Sequence, residues 1–302
     1  QQTSSPQSLT ELALLPDHPW HNKMGTHWEV SESAAHQQIE RTVEEVTRSY
    51  ATRRNHPSVD GTSRLSPYLA WGQVSPRQIC KAVLQAENEG SHRGENKFLV
   101  EIGWREFSYH LLYHFPIIPD QPLRPKYANF PWLDDPDNLK RWQFGKTGYP
   151  MVDAGMRQLY ETGWMHNRVR MVVASFLVKH LLLPWQDGAR WFWDTLVDAD
   201  LASNTQGWQW AAGCGADAAP YFRIFNPITQ GTKFDVRGEY AKRWIPELGN
   251  LPSKHLFSPW TAPPSTLLES GVKLGDNYPD PCVDHPEARA RALAALATLK
   301  QP

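Results

Sequence analysis

Apolar positions recur at helical spacing along most of the chain, and no stretch alternates apolar and polar residues as a half-buried strand would. Between Ser33 and Arg54, the residues Ile39, Val43, Val46 and Tyr50 fall on one helical face, with Ser33 placed as an N-cap. Short helices are predicted to start at Ser66-Pro67 and at Ser75-Pro76, because proline at a first helical position forfeits only an amide that would be unbonded anyway. Residues 95–114 read as a longer helix, ended by Pro116, which lacks the amide donor and clashes with the preceding turn. Further helices are predicted over 151–162, 165–182, 187–196, 199–211 and 286–300. The Pro-rich stretch 116–137, the Gly- and aromatic-rich 212–238 and the Pro-rich 246–285 read as loops or wrapping segments. The fold class is therefore mainly α. Residues 1–32 are polar and carry Pro16 and Pro19, so they read as an interdomain linker or N-terminal arm, and 33–302 as one helical domain.

Composition narrows the picture without naming an activity. The chain has 302 residues, enough to bury a sizeable core, and a net charge of −1, so any nucleic-acid surface must be local. No run of apolar residues is long enough to span a bilayer, and Gln1–Gln7 lacks the basic-then-apolar order of a signal peptide. Cys80, Cys214 and Cys282 lie far apart, which argues against a disulfide framework or a cysteine metal site and suits a reducing, cytoplasmic compartment. Fourteen tryptophans are the outlier, serving either an aromatic core or a stacking and electron-relay role.

Several local patterns carry chemistry. Gly213 to Ala218 fits the loose G-x-G-x-x-A pattern, but no strand precedes it, so a Rossmann site is rejected. His110 and His114 are one turn apart and lack an evident third ligand, so they read as packing rather than a metal site. Thr62-Ser63-Arg64-Leu65-Ser66 offers three hydroxyls and several amides just before a helix, which suits an anion or a plain capping loop. Glu101, Trp104 and Arg105 share one helix face, costly in a core unless it lines a polar cavity. Asn167, Arg168 and Arg170 cluster within 164–171, and Asp198 and Asp200 flank Ala199. Each pattern alone has a structural explanation. Together, in one α-rich domain, they suit a phosphate-bearing aromatic cofactor beside an aromatic substrate.

The strings TSRLSPYLAWGQVSPRQ, GWREF, GKTGYPMVDAGMRQLYETGWMHNRVRM and DADLASNTQGWQWAAGCGADAAPYFRIFNP closely resemble the photolyase/cryptochrome family over residues 33–300. The resemblance implies the helical domain of that family, holding FAD, with the family's N-terminal α/β antenna domain and its chromophore not expected here. Tyr50, Thr62, Ser63, Arg64, Leu65 and Ser66 are then expected at the cofactor's phosphates, with Arg105 near them. Arg170, Asp198, Ala199 and Asp200 are expected around the ribityl–isoalloxazine part, and Asn204 at flavin N5, a residue choice that resembles photolyases. Asn167 and Met171 stand where photolyases of the 6-4 type carry histidines, which resembles enzymes specific for cyclobutane dimers, nearest the bacterial class III type. Glu101, Trp104 and Trp210 are expected against a flipped-out dimer, and Arg54, Arg168 and Arg223 at DNA phosphates. Trp132, Trp185 and Trp208 match the family's electron relay, with Trp142 and Trp191 as alternatives. The implied activity is light-driven splitting of pyrimidine dimers in DNA by an electron from FADH−, with a cryptochrome-like photoreceptor as the alternative. A monomer without metal or membrane partners is expected.

Overall fold

The computed structural model describes residues 11, 12, 14, 19–88, 95–217 and 222–299. Among them there is no named strand, only an isolated bridge between Leu274 and Tyr278, so the mainly α class holds. The helices are α1 (Trp20–Met24), α2 (Glu32–Arg41), α3 (Tyr50–Arg53), α4 (Ser66–Ala70), α5 (Pro76–Asn88), α6 (Glu95–His114), α7 (Pro136–Gln143) and α8 (Pro150–Thr162). They continue as α9 (Asn167–Ser175), α10 (Trp185–Thr195), α11 (Leu201–Ala212), α12 (Pro227–Phe234), α13 (Glu239–Trp244), α14 (Ser253–Leu256), α15 (Pro264–Glu269) and α16 (His285–Thr298).

Several local details differ from the sequence reading. The cap of α2 is Ser31, whose hydroxyl accepts from Ala34 N at 3.0 Å, while Ser33 lies inside the first turn. The expected single helix to Arg54 is broken by a π-helical turn (Thr42–Val46) and a 3₁₀ turn (Thr47–Ser49). There the hydroxyls of Thr42 and Thr47 donate to the carbonyls of Gln38 and Val43, at 2.6 and 2.9 Å, which competes with the regular ladder. The expected helix 165–182 starts later, at Asn167, capped by His166 Nδ1, and passes into a π-helical turn over Phe176–His180. Helices α12, α14 and α15 arise where loops or wrapping segments were expected; Asn226 caps α12 and Pro227 opens it. Part of the expected arm packs on α8: Trp28 Nε1 donates to Thr162 O at 2.7 Å, and Lys23 pairs with Glu161.

Two hydrophobic clusters organise these helices. The larger joins α8–α11, α13 and α16 around Trp142, Trp185, Trp208, Tyr240 and Tyr278. The smaller joins α2, α5 and α6 around Ala35, Val46, Ile79 and Phe98. A fully buried carboxylate ties the wrapping segment to the large cluster. Asp153 accepts from Thr147 N (2.8 Å), Thr147 Oγ1 (2.6 Å), Gly148 N (3.0 Å) and Tyr278 OH (2.7 Å). Gly148 adopts φ 81° against the backbone of Asp280 and Pro281, an approach that no β-carbon allows.

Two buried histidines make stability depend on pH. His166 and His180 are both lowered to about 3, in each case chiefly by burial and then by nearby cationic groups, Arg168 and Arg170 for the first and His285 and Lys179 for the second. A depressed basic group binds its proton more readily in the unfolded chain, so stability is complete above the ordinary histidine value and falls as pH drops from there towards 3. Denaturant titrations between pH 7.5 and 4.5 are expected to show a loss of a few kcal/mol. A flat profile in that window removes both histidines from the acid response.

Candidate functional site

A cavity of about 490 Å³ lies between the two clusters, with Tyr50, Leu65 and Phe98 on the small-cluster side and Met165, Phe192 and Trp208 on the other. The irregular turn before α3 delivers Tyr50 to it, and the loop into α4 delivers Thr62, Ser63, Arg64 and Ser66. Gln38 Nε2 holds this loop by donating to Ser63 O at 2.6 Å. Arg64 sits at φ 49°, a left-handed conformation that a non-glycine residue adopts at a cost of order 1–3 kcal/mol, and its guanidinium lies 5.3 Å from the Trp164 ring.

Helix α9 and the turn into α11 contribute charges to the same cavity. Arg170 Nε donates to Met165 O and its Nη2 to Asp198 Oδ2, both at 2.7 Å. Asp198 is 2% exposed, and its second oxygen, Oδ1, is buried with no partner. Asp200 caps α11 by accepting from Ser203 N at 2.8 Å, and it also accepts from Tyr109 OH. Tyr109 was not singled out in the sequence, although it lies one turn beyond Arg105. Arg105 Nη2 donates to the Tyr109 hydroxyl at 3.2 Å, and the guanidinium lies 4.6 Å from its ring centre. Burial and the Asp200 hydrogen bond raise the Tyr109 hydroxyl, which keeps it a donor. Ala199 and Asn204 line the same cavity, the latter anchored by donation from Nδ2 to Ala189 O at 2.9 Å.

The same lining includes Glu101, Trp104, Asn167, Met171 and Trp210. Glu101 is paired with Arg54, whose guanidinium lies 5.2 Å from the Tyr50 ring. Burial raises the Tyr50 hydroxyl to about 12, with smaller opposing effects from Arg54, which lowers it, and Glu101, which raises it. Arg168 is outside this lining: it donates to Asn55 Oδ1 at 2.7 Å and lies over Phe234. Burial, and then the guanidinium groups of Arg223 and Arg54, lower Arg168, so Arg168 lies within electrostatic reach of both. Arg223 lines a separate cavity.

The tryptophans are placed unevenly. Trp208 lies at the floor of the cavity, and its Nε1 is buried without a partner. Among the described residues its ring contacts are Phe192, at 5.0 Å, and Trp142, at 6.0 Å. Trp142 in turn donates to Val173 O at 3.0 Å. Trp185 is buried at the first position of α10, whose Gly188 carries the Trp208 ring. Trp132 is half-buried against Phe130, and the next residue, Leu133, bonds to Leu182 O just before Trp185. Trp191 packs on Phe144 at 5.9 Å. A methyl group at Gly188 would collide with Trp208, so Gly188→Ala is expected to cost about 1–3 kcal/mol by overpacking. Denaturation midpoints check it, and an unchanged midpoint shows that the indole can shift freely.

His110 and His114 pack edge-on, with ring centres 4.3 Å apart, and among the described residues no group of three potential ligands could hold a metal. No described helix is long and apolar enough to cross a membrane. The unpartnered acceptor at Asp198, the unpartnered donor at Trp208 and the hydroxyl loop fit a ligand that carries polar ring atoms and phosphates.

Comparison with known proteins agrees. A family profile described as the FAD binding domain of DNA photolyase matches residues 98–298. A deoxyribodipyrimidine photo-lyase of Agrobacterium fabrum is 47% identical over 98% of this chain and 62% of its own length. Cryptochrome-1 of Arabidopsis thaliana is 46% identical over 83% of this chain and 38% of its own. A solved bacterial class III photolyase from Agrobacterium tumefaciens superimposes with a TM-score of 0.94 at 47% identity, covering 98% of this chain and 62% of that one. The chain thus spans under two thirds of the length of each of these relatives. With a helical fold shared at that level and a cavity whose open valences suit a flavin, the chain belongs to the photolyase/cryptochrome family, as its FAD-binding domain.

Proposed function

We propose that this domain carries out light-driven repair of cyclobutane pyrimidine dimers in DNA. The observation that carries the reading is that one cavity brings together the hydroxyl loop, the Arg170–Asp198 pair, and Glu101, Trp104 and Trp210, with Glu101 paired to Arg54. Bound FAD, in its fully reduced form FADH−, supplies the electron that splits the dimer after absorbing blue or near-UV light.

The protein's own residues hold and shield the reaction. Asp198 Oδ1 would accept from a ring or ribityl donor, and Arg170 orients that carboxylate. Asn204, its amide fixed by donation to Ala189 O, would face the flavin ring system. Trp104 and Trp210 offer flat apolar faces to an extruded base pair, with Asn167 and Met171 at the edge. Arg54, Arg168 and Arg223 face the phosphates of DNA, a contribution that weakens with salt. A DNA phosphate that takes the carboxylate's place on Arg54 would free Glu101 for the flipped bases. A monomer in a reducing, cytoplasmic compartment suits the three free cysteines.

Reduced, FAD-loaded protein is expected to remove dimers from an irradiated oligonucleotide in light and not in darkness. Flavin binding without dimer loss favours the light-sensor reading, which the similarity to a plant cryptochrome also supports. Glu101→Ala is expected to lower dimers split per photon about tenfold, as the loss of one charge-assisted contact to the reacting group implies, while oligonucleotide affinity changes less. Equal repair per absorbed photon takes Glu101 out of the chemistry.

A further inference from the structure

A second cavity, of about 500 Å³, lies beyond Trp210, which lines both cavities. Its described lining holds five basic side chains, Arg124, Lys126, Lys179, Arg223 and Arg289, and no carboxylate. In the first cavity the charges are matched, Arg54 to Glu101 and Arg170 to Asp198. Here none of the five cations has a carboxylate partner among the described residues. Converging like charges repel one another, and low-dielectric walls focus their field, so such a site attracts an anion.

The walls add a second selectivity. Three of the cations each face an aromatic ring: Lys126 at 5.6 Å from the centre of Tyr127, Lys179 at 4.5 Å from Phe222 and Arg223 at 4.7 Å from Phe225. Trp210 lies 6.3 Å from Phe225 and closes the side towards the first cavity. The construction is rigid. Arg124 N donates to Cys214 O at 3.0 Å, Phe225 N donates to Ser175 Oγ at 3.2 Å, and α16 packs on the π-helical turn that carries Lys179. Lys179 is buried, and its ammonium is committed to the Arg223 carbonyl, which sets it as a floor rather than a mobile rim. Burial, and then the Arg223 charge, bring Lys179 down to about 7, so an anion that enters would restore its proton.

We propose that this cavity is a nucleotide-binding subsite, taking a phosphate on Arg223, Arg289 and Lys126 and a base against its aromatic wall. The shared chemistry is a nucleoside phosphate, from undamaged DNA strand next to the lesion or from a free nucleotide. The strand source rests on the DNA-repair reading; the free source does not. Stacking of a base on an aromatic wall tolerates sequence, so this subsite grips strand without reading it.

The test uses the full chain loaded with FAD and two probes: a fluorescent undamaged single-stranded oligonucleotide, and adenosine 5′-monophosphate in equilibrium dialysis. Leu296→Trp fills the cavity from α16 without changing charge, and Arg289→Glu reverses one rim charge. Each is expected to weaken oligonucleotide binding about tenfold, the loss that one stacked base implies, with flavin absorbance retained. Arg237→Glu, an exposed charge outside the lining, is the control and is expected to change affinity far less. Parallel loss of the mononucleotide assigns the free source, and loss confined to the oligonucleotide assigns the strand. Wild-type affinity of both variants for both probes overturns the subsite. So does an equal effect of Arg237→Glu, which would reduce the case to general surface charge. Should Leu296→Trp not fold, Arg289→Ala gives the same reading. Dimer repair is measured in parallel: absent repair with intact nucleotide binding sinks the proposed function alone, and intact repair with unaffected binding sinks this site alone.

Discussion

Arg170→Ala is expected to release the flavin and to destabilise the domain by about 3 kcal/mol, at the low end of the range for breaking a buried ion pair because the guanidinium is partly exposed. The argument is one of orphaned groups. Asp198 is 2% exposed, and Arg170 is its only described ion partner, at 2.7 Å. The same guanidinium caps the Met165 carbonyl, also at 2.7 Å. Removing it leaves a desolvated carboxylate with both oxygens unpaired, since Oδ1 has no partner even in the intact protein. The group is then expected to lose its orientation towards a ring donor. Denaturant unfolding and flavin absorbance after desalting measure the two effects. The double variant Arg170→Ala with Asp198→Asn removes the stranded charge and is expected to recover much of the stability but not the flavin. A single variant that unfolds at the wild-type midpoint would show that Asp198 finds water or another partner, and the pair would lose its place in the account.

Trp208→Phe is expected to abolish light-driven reduction of oxidised flavin while leaving repair by chemically pre-reduced protein intact. The indole lies at the floor of the cavity with its ring on Gly188, and its Nε1 is unpartnered. It is the one member of the expected relay that borders the cavity; Trp185 and Trp132 lie deeper or further out. Phenylalanine keeps the contacts with Phe192 and Trp142 in part and costs about 1–3 kcal/mol through the cavity it leaves. Normal photoreduction in this variant would exclude Trp208 as the first donor. The onward route is a separate matter. The resemblance implies Trp185 and then Trp132, whereas the ring nearest Trp208 among the described tryptophans is Trp142, at 6.0 Å. Comparing Trp185→Phe with Trp142→Phe decides between them, because only the variant on the path slows photoreduction.

Much of the candidate site could be read along the chain because its parts are short, contiguous strings. The hydroxyl loop 62–66, the face Glu101–Trp104–Arg105 and the Asp198–Asp200 turn each keep their geometry through local hydrogen bonds and helical spacing, so residue order alone places their side chains together. The long helix 95–114 was equally legible, since apolar periodicity and Pro116 act within one element. The π-helical turns at Thr42–Val46 and Phe176–His180 were not, because they arise when a helix fits its neighbours rather than its own propensity. Nor was α12, whose Asn226-Pro227 start was present but whose apolar face becomes visible only against the large cluster.

Residue order therefore determined the helical class, the family and the membership of the flavin cavity. Tertiary structure alone decided which charges meet. The pairing of Arg54 with Glu101, of Tyr109 with Asp200, and the gathering of unmatched cations around Trp210 all join segments far apart in the chain. Coulomb and desolvation energies depend on distance and burial in space, and one-dimensional order does not encode either until the two clusters have packed.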